Sequence, residues 1–332
     1  MVGRECVRGR VEASRDPLRI DEFQEFTVCV ACRFPIPTFS LSHVLYHLLP
    51  GKLRTDRTIE QIRFFRAYFY HIYLQPTPIP PTSLFQPVIT STHSPILEMD
   101  YNLHKSNSTY FADMDMSRTH LFSAIIRKAI RKTAQHLPSS SGNTGGTHMI
   151  ALGGLACNFK KEILPYHKYE MWTRLLCWDR KWFYMVTWLV KPGVGKPPSF
   201  SLQPWRKGKP GEIEPEKLKG AIYATAIAKY VVKKGRITIP AEQVLVDAEM
   251  VPAKPEDWVY RGDEGGAKGV DDADAVLPQK HDGEEWNWDA IERQRRRGLR
   301  FAEAFAELDG LHDVFDGGKD GALGEYADLL WR

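Results

Sequence analysis

The chain has 332 residues, 43% hydrophobic and 26% charged, with a formal net charge of +4. This length holds one large or two small domains with a sizeable core, in a composition ordinary for a soluble globular protein. The small net charge makes no case for a nucleic-acid partner, and no run of roughly 18 apolar residues is present to span a membrane.

Residues 1–25 are a charged lead-in without the apolar core of a secretory signal, so a cytoplasmic, non-secreted protein is expected. The cysteines, Cys6, Cys29, Cys32, Cys157 and Cys177, are odd in number and sparse, which suits a reducing compartment better than a disulfide framework. Cys29 and Cys32 have redox spacing, but their flanks are not those of a strand–loop–helix redox unit. They read as small apolar residues.

Residues 39–74 read as helical. In QIRFFRAYFYHIYL, Gln61 to Leu74, the positions Ile62, Phe65, Phe69 and Ile72 or Tyr73 recur at helical spacing, interrupted by Arg63, Arg66 and His71. An aromatic, basic, amphipathic helix fits either packing on its own domain or peripheral contact with an intracellular membrane, and periodicity does not separate the two. PTPIPPTS, Pro76 to Ser83, ends it as an extended linker, because prolines fix φ and remove donors. The expected division is a lead-in and helical flank at 1–80, a main domain at 84–250, an acidic Gly-rich insert at 251–285 and a C-terminal helix and tail at 286–332.

A strand is expected within Gln86–Leu97, then a polar loop, then a helix from about Ser108 to Gln135. The helix carries Phe111, Met114, Leu121, Ile125 and Ala129 on one stripe. Asp113 and Asp115 near its start read as partners of the dipole or as solvent-facing acids. PSSSGNTGG, Pro138 to Gly146, reads as a loop. Strands follow at His148–Phe159, Tyr169–Cys177 and Lys181–Val190, the last two joined at the turn Trp178-Asp179-Arg180. Leu218–Val232 reads as a strand, although its alanines leave a helix open. Arg236–Pro240 and Gln243–Leu245 read as short strands. The last helix, about Trp288 to Leu308, offers Ile291, Leu299, Ala302, Phe305 and Leu308 for packing. Its run Arg293-Gln294-Arg295-Arg296-Arg297 could suggest a nucleic-acid face, but it sits among Glu292, Glu303 and Glu307 and reads as a solvated face.

A long helix followed by consecutive antiparallel strands indicates an α+β sheet wrapped around that helix. The stretch MDYNLHKSNSTYFADMDMSRTHL, Met99 to Leu121, then becomes recognisable. It resembles the acidic loop of hot-dog thioesterases of the 4-hydroxybenzoyl-CoA thioesterase type. In these an Asp is followed by three residues, a His, one residue, two Asn, two residues and a Tyr. Asp100, His104, Asn107 and Tyr110 are in register with that pattern. Ser106 replaces the first Asn, and Leu103 stands where Gly is frequent. The segment LGGLACNFKKEILPYHKYEMWTRLLCWDRKWFYMVTWLV looks like the family's central strands, and SNSTYFADMDMSRTHL is similar to a hallmark of fungal relatives of thioesterase superfamily member six. The resemblance covers roughly Leu84 to Leu245.

That resemblance implies an α+β hot-dog fold, a homodimer with the acyl site near the interface, and hydrolysis of acyl-CoA or acyl-carrier-protein thioesters without a cofactor or metal. It makes Asp100 the general base or nucleophile. His104 then either assists Asp100 and substrate or satisfies loop backbone. Asn107, Ser108, Thr109 and Tyr110 are substrate-binding candidates, through free amides at the helix start. Taken alone, Asn107 also reads as a cap or loop organiser and Tyr110 as a packing residue. Met114, Leu121, Trp172, Phe183 and Trp188 line either an acyl slot or plain core. Lys160, Lys161, Lys168 and Arg174 serve either carrier phosphates or solubility. The alternative function is a non-catalytic acyl- or lipid-binding hot-dog protein.

Overall fold

The computed structural model describes residues 55–135, 148–208, 211, 214–260 and 286–314. The lead-in, Cys6, Cys29, Cys32, the loop Pro138–Gly146, residues 261–285 of the insert and the tail beyond 314 lie outside the described residues.

Helix α1 spans Thr55–Phe69 and ends in a π-helical turn, Tyr70–Leu74. Strand β1 is Val88–His93 and the central helix α2 is Asn107–Gln135. The strands β2 (His148–Phe159), β3 (Lys168–Trp178), β4 (Phe183–Val190), β5 (Ile222–Lys234) and β6 (Ile237–Ile239) complete one antiparallel sheet. Its order is β1-β3-β4-β5-β2, with β6 beside the end of β5. This is the hot-dog arrangement expected from the sequence: a sheet curved around one long helix.

The stripe on α2 explains the packing. Met114, Leu121, Ile125 and Ala129 are all buried, as their three- and four-residue spacing requires. Strand alternation meets them with Tyr169, Met171, Thr173 and Leu175 from β3, and with Phe183 and Met185 from β4. Alanines 224, 226 and 228 are buried on β5, a strand after all. A hydroxyl ladder crosses this core: Ser117 lies 2.7 Å from Thr173, and Thr173 lies 3.0 Å from Thr187.

The opposite face of the sheet carries Leu176, Tyr184 and Val186, covered by Ala302 and Phe305 of helix α5 (Trp288–Ala306). Gly298 permits this contact, since a Cβ there would stand 2.6 Å from the Leu176 carbonyl oxygen. The arginine run stays at the rim, where Arg295 and Arg296 both bind Glu292, and Arg295 also reaches the Trp178 carbonyl.

The flank is built into this core. Tyr68 and Ile72 share one cluster with Leu121 and Ile125, and the core continues through Leu84 and Phe85 beyond the proline segment. Ile62, Phe65, Phe69 and Tyr73 remain exposed on the other side of α1.

Three local expectations are corrected. Gln243–Leu245 lies in helix α4 (Ala241–Asp247), because Ala241, Val244 and Leu245 bury one helical face. Leu218 belongs to a short helix α3, Pro215–Gly220, ahead of β5. The start of the insert is part of the core: Val251 is buried, as is Met250 just before it, and Trp258 packs against Trp288.

Candidate active site

The motif forms a closed turn between the 3-10 turn Ile96–Glu98 and α2. Its two arms are joined by a bridge between Met99 and Lys105. The Ser106 amide donates to the Glu98 carbonyl at 2.8 Å, and the Asp100 amide to the His104 carbonyl at 2.8 Å. Leu103 turns the chain with φ of 60°, the left-handed region that glycine enters without a Cβ penalty. The Gly frequent at that point of the motif therefore has a backbone reason, and this chain meets the same demand with a leucine.

Within the turn, Asp100 Oδ1 accepts from the amides of Asn102 at 2.8 Å and His104 at 3.2 Å. Among the described residues, Oδ2 has no hydrogen-bond partner. One oxygen is therefore held and the other is available, the geometry a carboxylate needs to accept a proton or attack a carbonyl. His104 meets Asp100 through its own backbone, its amide donating to the carboxylate and its carbonyl accepting from the Asp100 amide; the imidazole makes no hydrogen bond to the carboxylate among the described residues.

Asn107 opens α2 and is exposed, as is Ser108. The cap position belongs to Ser106, whose carbonyl accepts from the Thr109 amide at 3.0 Å and the Thr109 hydroxyl at 2.7 Å. This corrects the reading of Asn107 as the cap. The Asn107 and Ser108 amides donate to no described group, and they stand at the positive end of a 29-residue helix. Tyr110 is buried against Phe159, and burial pushes its phenol up to about 12.

Asp113 is the largest departure from expectation. It is buried, not solvent-facing, and its Oδ1 takes Arg63 Nη2 of α1 at 2.8 Å. Its Oδ2 takes Lys105 Nζ at 3.0 Å and the Tyr169 hydroxyl. Burial alone would raise this carboxyl, but Lys105, Tyr169 and Arg63 outweigh it and hold it below the ordinary range. Lys105 also pairs with Glu98 and lies 5.6 Å from both the Tyr110 and Tyr169 ring centres. None of Arg63, Glu98 or Lys105 was singled out as a site residue from sequence. A signal for Asp113 was present, since Tyr110, Asp113 and Ser117 share the inward stripe of α2. Nothing in the sequence announces that Arg63 reaches across fifty residues. Asp115 is half-exposed and pairs with buried Arg118 at 2.5 Å.

The proposed slot residues do not share one face. Met114, Leu121 and Phe183 line the helix side, whereas Trp188 packs with the cluster under α5, and Trp172 is its cross-strand partner. Arg174 is buried with its guanidinium over the Trp188 ring, away from solvent phosphates. Lys168 lines a cleft of about 570 Å³ with Lys191, His167 and Tyr223. Among the described residues no cluster of three metal-ligating side chains occurs.

Residues 94–204 match the family described as the thioesterase-like superfamily. A probable thioesterase of Emericella nidulans, atnL, is 32% identical over 253 residues, covering 74% of this chain and 76% of its own. This chain belongs to the thioesterase-like superfamily. Thioesterase lcsJ of Purpureocillium lilacinum is 33% identical over 240 residues, 68% of this chain and 69% of its own. Protein THEM6 of Xenopus laevis is 27% identical over 88 residues, 26% of this chain and 37% of its own. The superfamily match begins at residue 94, so α1 and its Arg63 lie outside it, as does α5.

Proposed function

We propose that this protein hydrolyses acyl thioesters of coenzyme A or an acyl carrier protein, with Asp100 as general base or nucleophile. The carrying observation is the carboxylate itself, with Oδ1 held by two amides and Oδ2 without a described partner, beside the start of α2. As a base, Oδ2 takes a proton from water while the water oxygen attacks the thioester carbonyl; the tetrahedral intermediate then collapses, its C–S bond breaks, and the departing thiolate takes the proton back from Asp100. As a nucleophile, Oδ2 attacks directly, the thiolate leaves, and water hydrolyses the mixed anhydride. In both routes negative charge develops on the carbonyl oxygen, and the amides of Asn107 and Ser108 are suited to receive it. Thr109 and Tyr110 complete the proposed substrate-binding segment, and His104 stands at the end of the turn as an assisting group. No resident cofactor enters either route.

A homodimer fits the edges of the sheet. β2 is a 12-residue strand whose outer edge has no partner among the described residues, and long open edges call for a cover. We read the protein as cytoplasmic, and the exposed stripe Ile62, Phe65, Phe69 and Tyr73, with exposed Arg66 beside it, supports peripheral contact with an intracellular membrane.

Thiol release from short, medium, long and aromatic acyl-CoAs, and from acyl-carrier-protein thioesters, tests the activity. Turnover on either set supports hydrolysis and names the carrier. A folded protein that turns over none but binds acyl chains is instead an acyl-binding member of the fold. Co-sedimentation with anionic vesicles, comparing wild type with Phe65→Ser/Phe69→Ser, tests the membrane contact; equal pelleting removes it.

A further inference from the structure

We infer that Arg63, Asp113 and Lys105 form a positioning relay that holds the Asp100 turn in its working shape from outside the superfamily domain. This rests on the proposed role of Asp100.

Lys105 ends one arm of the turn and Glu98 ends the other. The Lys105 ammonium, with a fully buried side chain, binds the Glu98 carboxylate and lies 3.0 Å from Asp113 Oδ2. A single cation therefore fastens both arms to α2. The Lys105 amide also donates to the Ile163 carbonyl at 2.9 Å, which fixes its backbone against the sheet side. The residue just before it, His104, supplies one of the two amides on Asp100 Oδ1. Displacement of Lys105 thus moves a group that orients the reacting carboxylate.

Asp113 is held at both oxygens. Tyr169 and Lys105 share Oδ2, and Arg63 of α1 takes Oδ1. The two cations balance the two carboxylates of Asp113 and Glu98, so no net charge is buried. Without Arg63, Oδ1 of a nearly inaccessible carboxylate loses this partner, and Asp113 gains freedom to rotate away from Lys105. None of these three groups reaches the free oxygen of Asp100, so their role is positioning rather than chemistry. Arg63 is the accessible handle, since its side chain is 31% exposed.

The test compares full-length wild type, Arg63→Met, Arg63→Lys and Lys105→Met. Two readouts are taken on each: hydrogen exchange at the Asn102 and His104 amides against core amides such as Leu175, and kcat and KM for a thioester the wild type hydrolyses. In Arg63→Met, exchange at 102 and 104 is expected to rise about tenfold while core exchange holds. The kcat is expected to fall about tenfold with KM within twofold, and Arg63→Lys to recover most of both. Lys105→Met is expected to show the larger effect if it folds, and Arg63→Met carries the test if it does not. Unchanged exchange at both amides in Arg63→Met overturns the relay. Altered exchange in a protein whose wild type hydrolyses no thioester keeps the relay as a structural device and overturns the hydrolase reading instead.

Discussion

His71 Nε2 lies 2.8 Å from His120 Nδ1 where the π turn ending α1 crosses the central helix. Burial, then the neighbouring ring and Arg127, hold His71 down at about 3. Burial, then Arg66 and Arg63, hold His120 at about 4. Both are neutral in the folded protein, and His71 Nδ1 is buried without a partner among the described residues. The unfolded chain protonates both near 6.5, so it binds more protons than the native state below that value. Stability is full above about pH 6.5 and falls as pH drops toward the folded values, by about 1.4 kcal/mol per pH unit for each histidine. Urea titrations from pH 7.5 to 4.5 check this. His71→Gln reduces the slope, and a flat profile in the wild type contradicts the assignment.

Leu103 occupies the left-handed region with an exposed side chain. Relief of its Cβ strain is partly offset by the greater freedom glycine gives the unfolded chain. Leu103→Gly is therefore expected to stabilise by about 0.5 kcal/mol, and Leu103→Val to destabilise by about 1–2 kcal/mol, because a β-branched residue fits that region worst. Thermal melts of the two variants decide it by their opposite signs.

Thr173 sits in the middle of the hydroxyl ladder and is completely buried. Thr173→Val keeps the volume but removes a partner from both Ser117 and Thr187. The expected loss is about 1–3 kcal/mol. Thr173→Ser keeps the hydroxyl, so denaturant midpoints should place it much nearer the wild type.

Gly298 lets α5 approach the Leu176 carbonyl. A methyl group there forces the helix outward, at a cost of about 1–3 kcal/mol for overpacking. Gly298→Ala should lower the melting temperature and speed protease cleavage within 288–306. Unchanged cleavage would mean that the helix docks by other contacts.

The sheet and central helix were legible because burial imposes periods of two and about 3.6 on their sequences. β2 ends where its apolar run does, at Phe159, and α2 runs unbroken through its stripe from Phe111 to Ala129. The turn of Asp100 was legible as a motif, since its residue types and spacing serve backbone geometry as well as chemistry. What escaped depends on tertiary contact. Gln243–Leu245 is too short for periodicity to separate strand from helix. Trp172 and Trp188 look like slot residues until strand alternation is combined with the position of α5. Asp113 carries the same carboxylate as any helix-start acid. Its burial is decided by Lys105, Tyr169 and Arg63, which arrive from three other segments.

The central claim is that the Asp100 carboxylate performs the hydrolysis. Asp100→Asn retains an oxygen to accept from the Asn102 and His104 amides, so the turn is expected to persist while the free carboxylate oxygen is lost. The measurement is kcat for thiol release by wild type and Asp100→Asn on the best thioester, with melting temperatures taken alongside. A fall of at least about 100-fold in a folded variant is the predicted result. Turnover equal to wild type in a folded Asp100→Asn would contradict it.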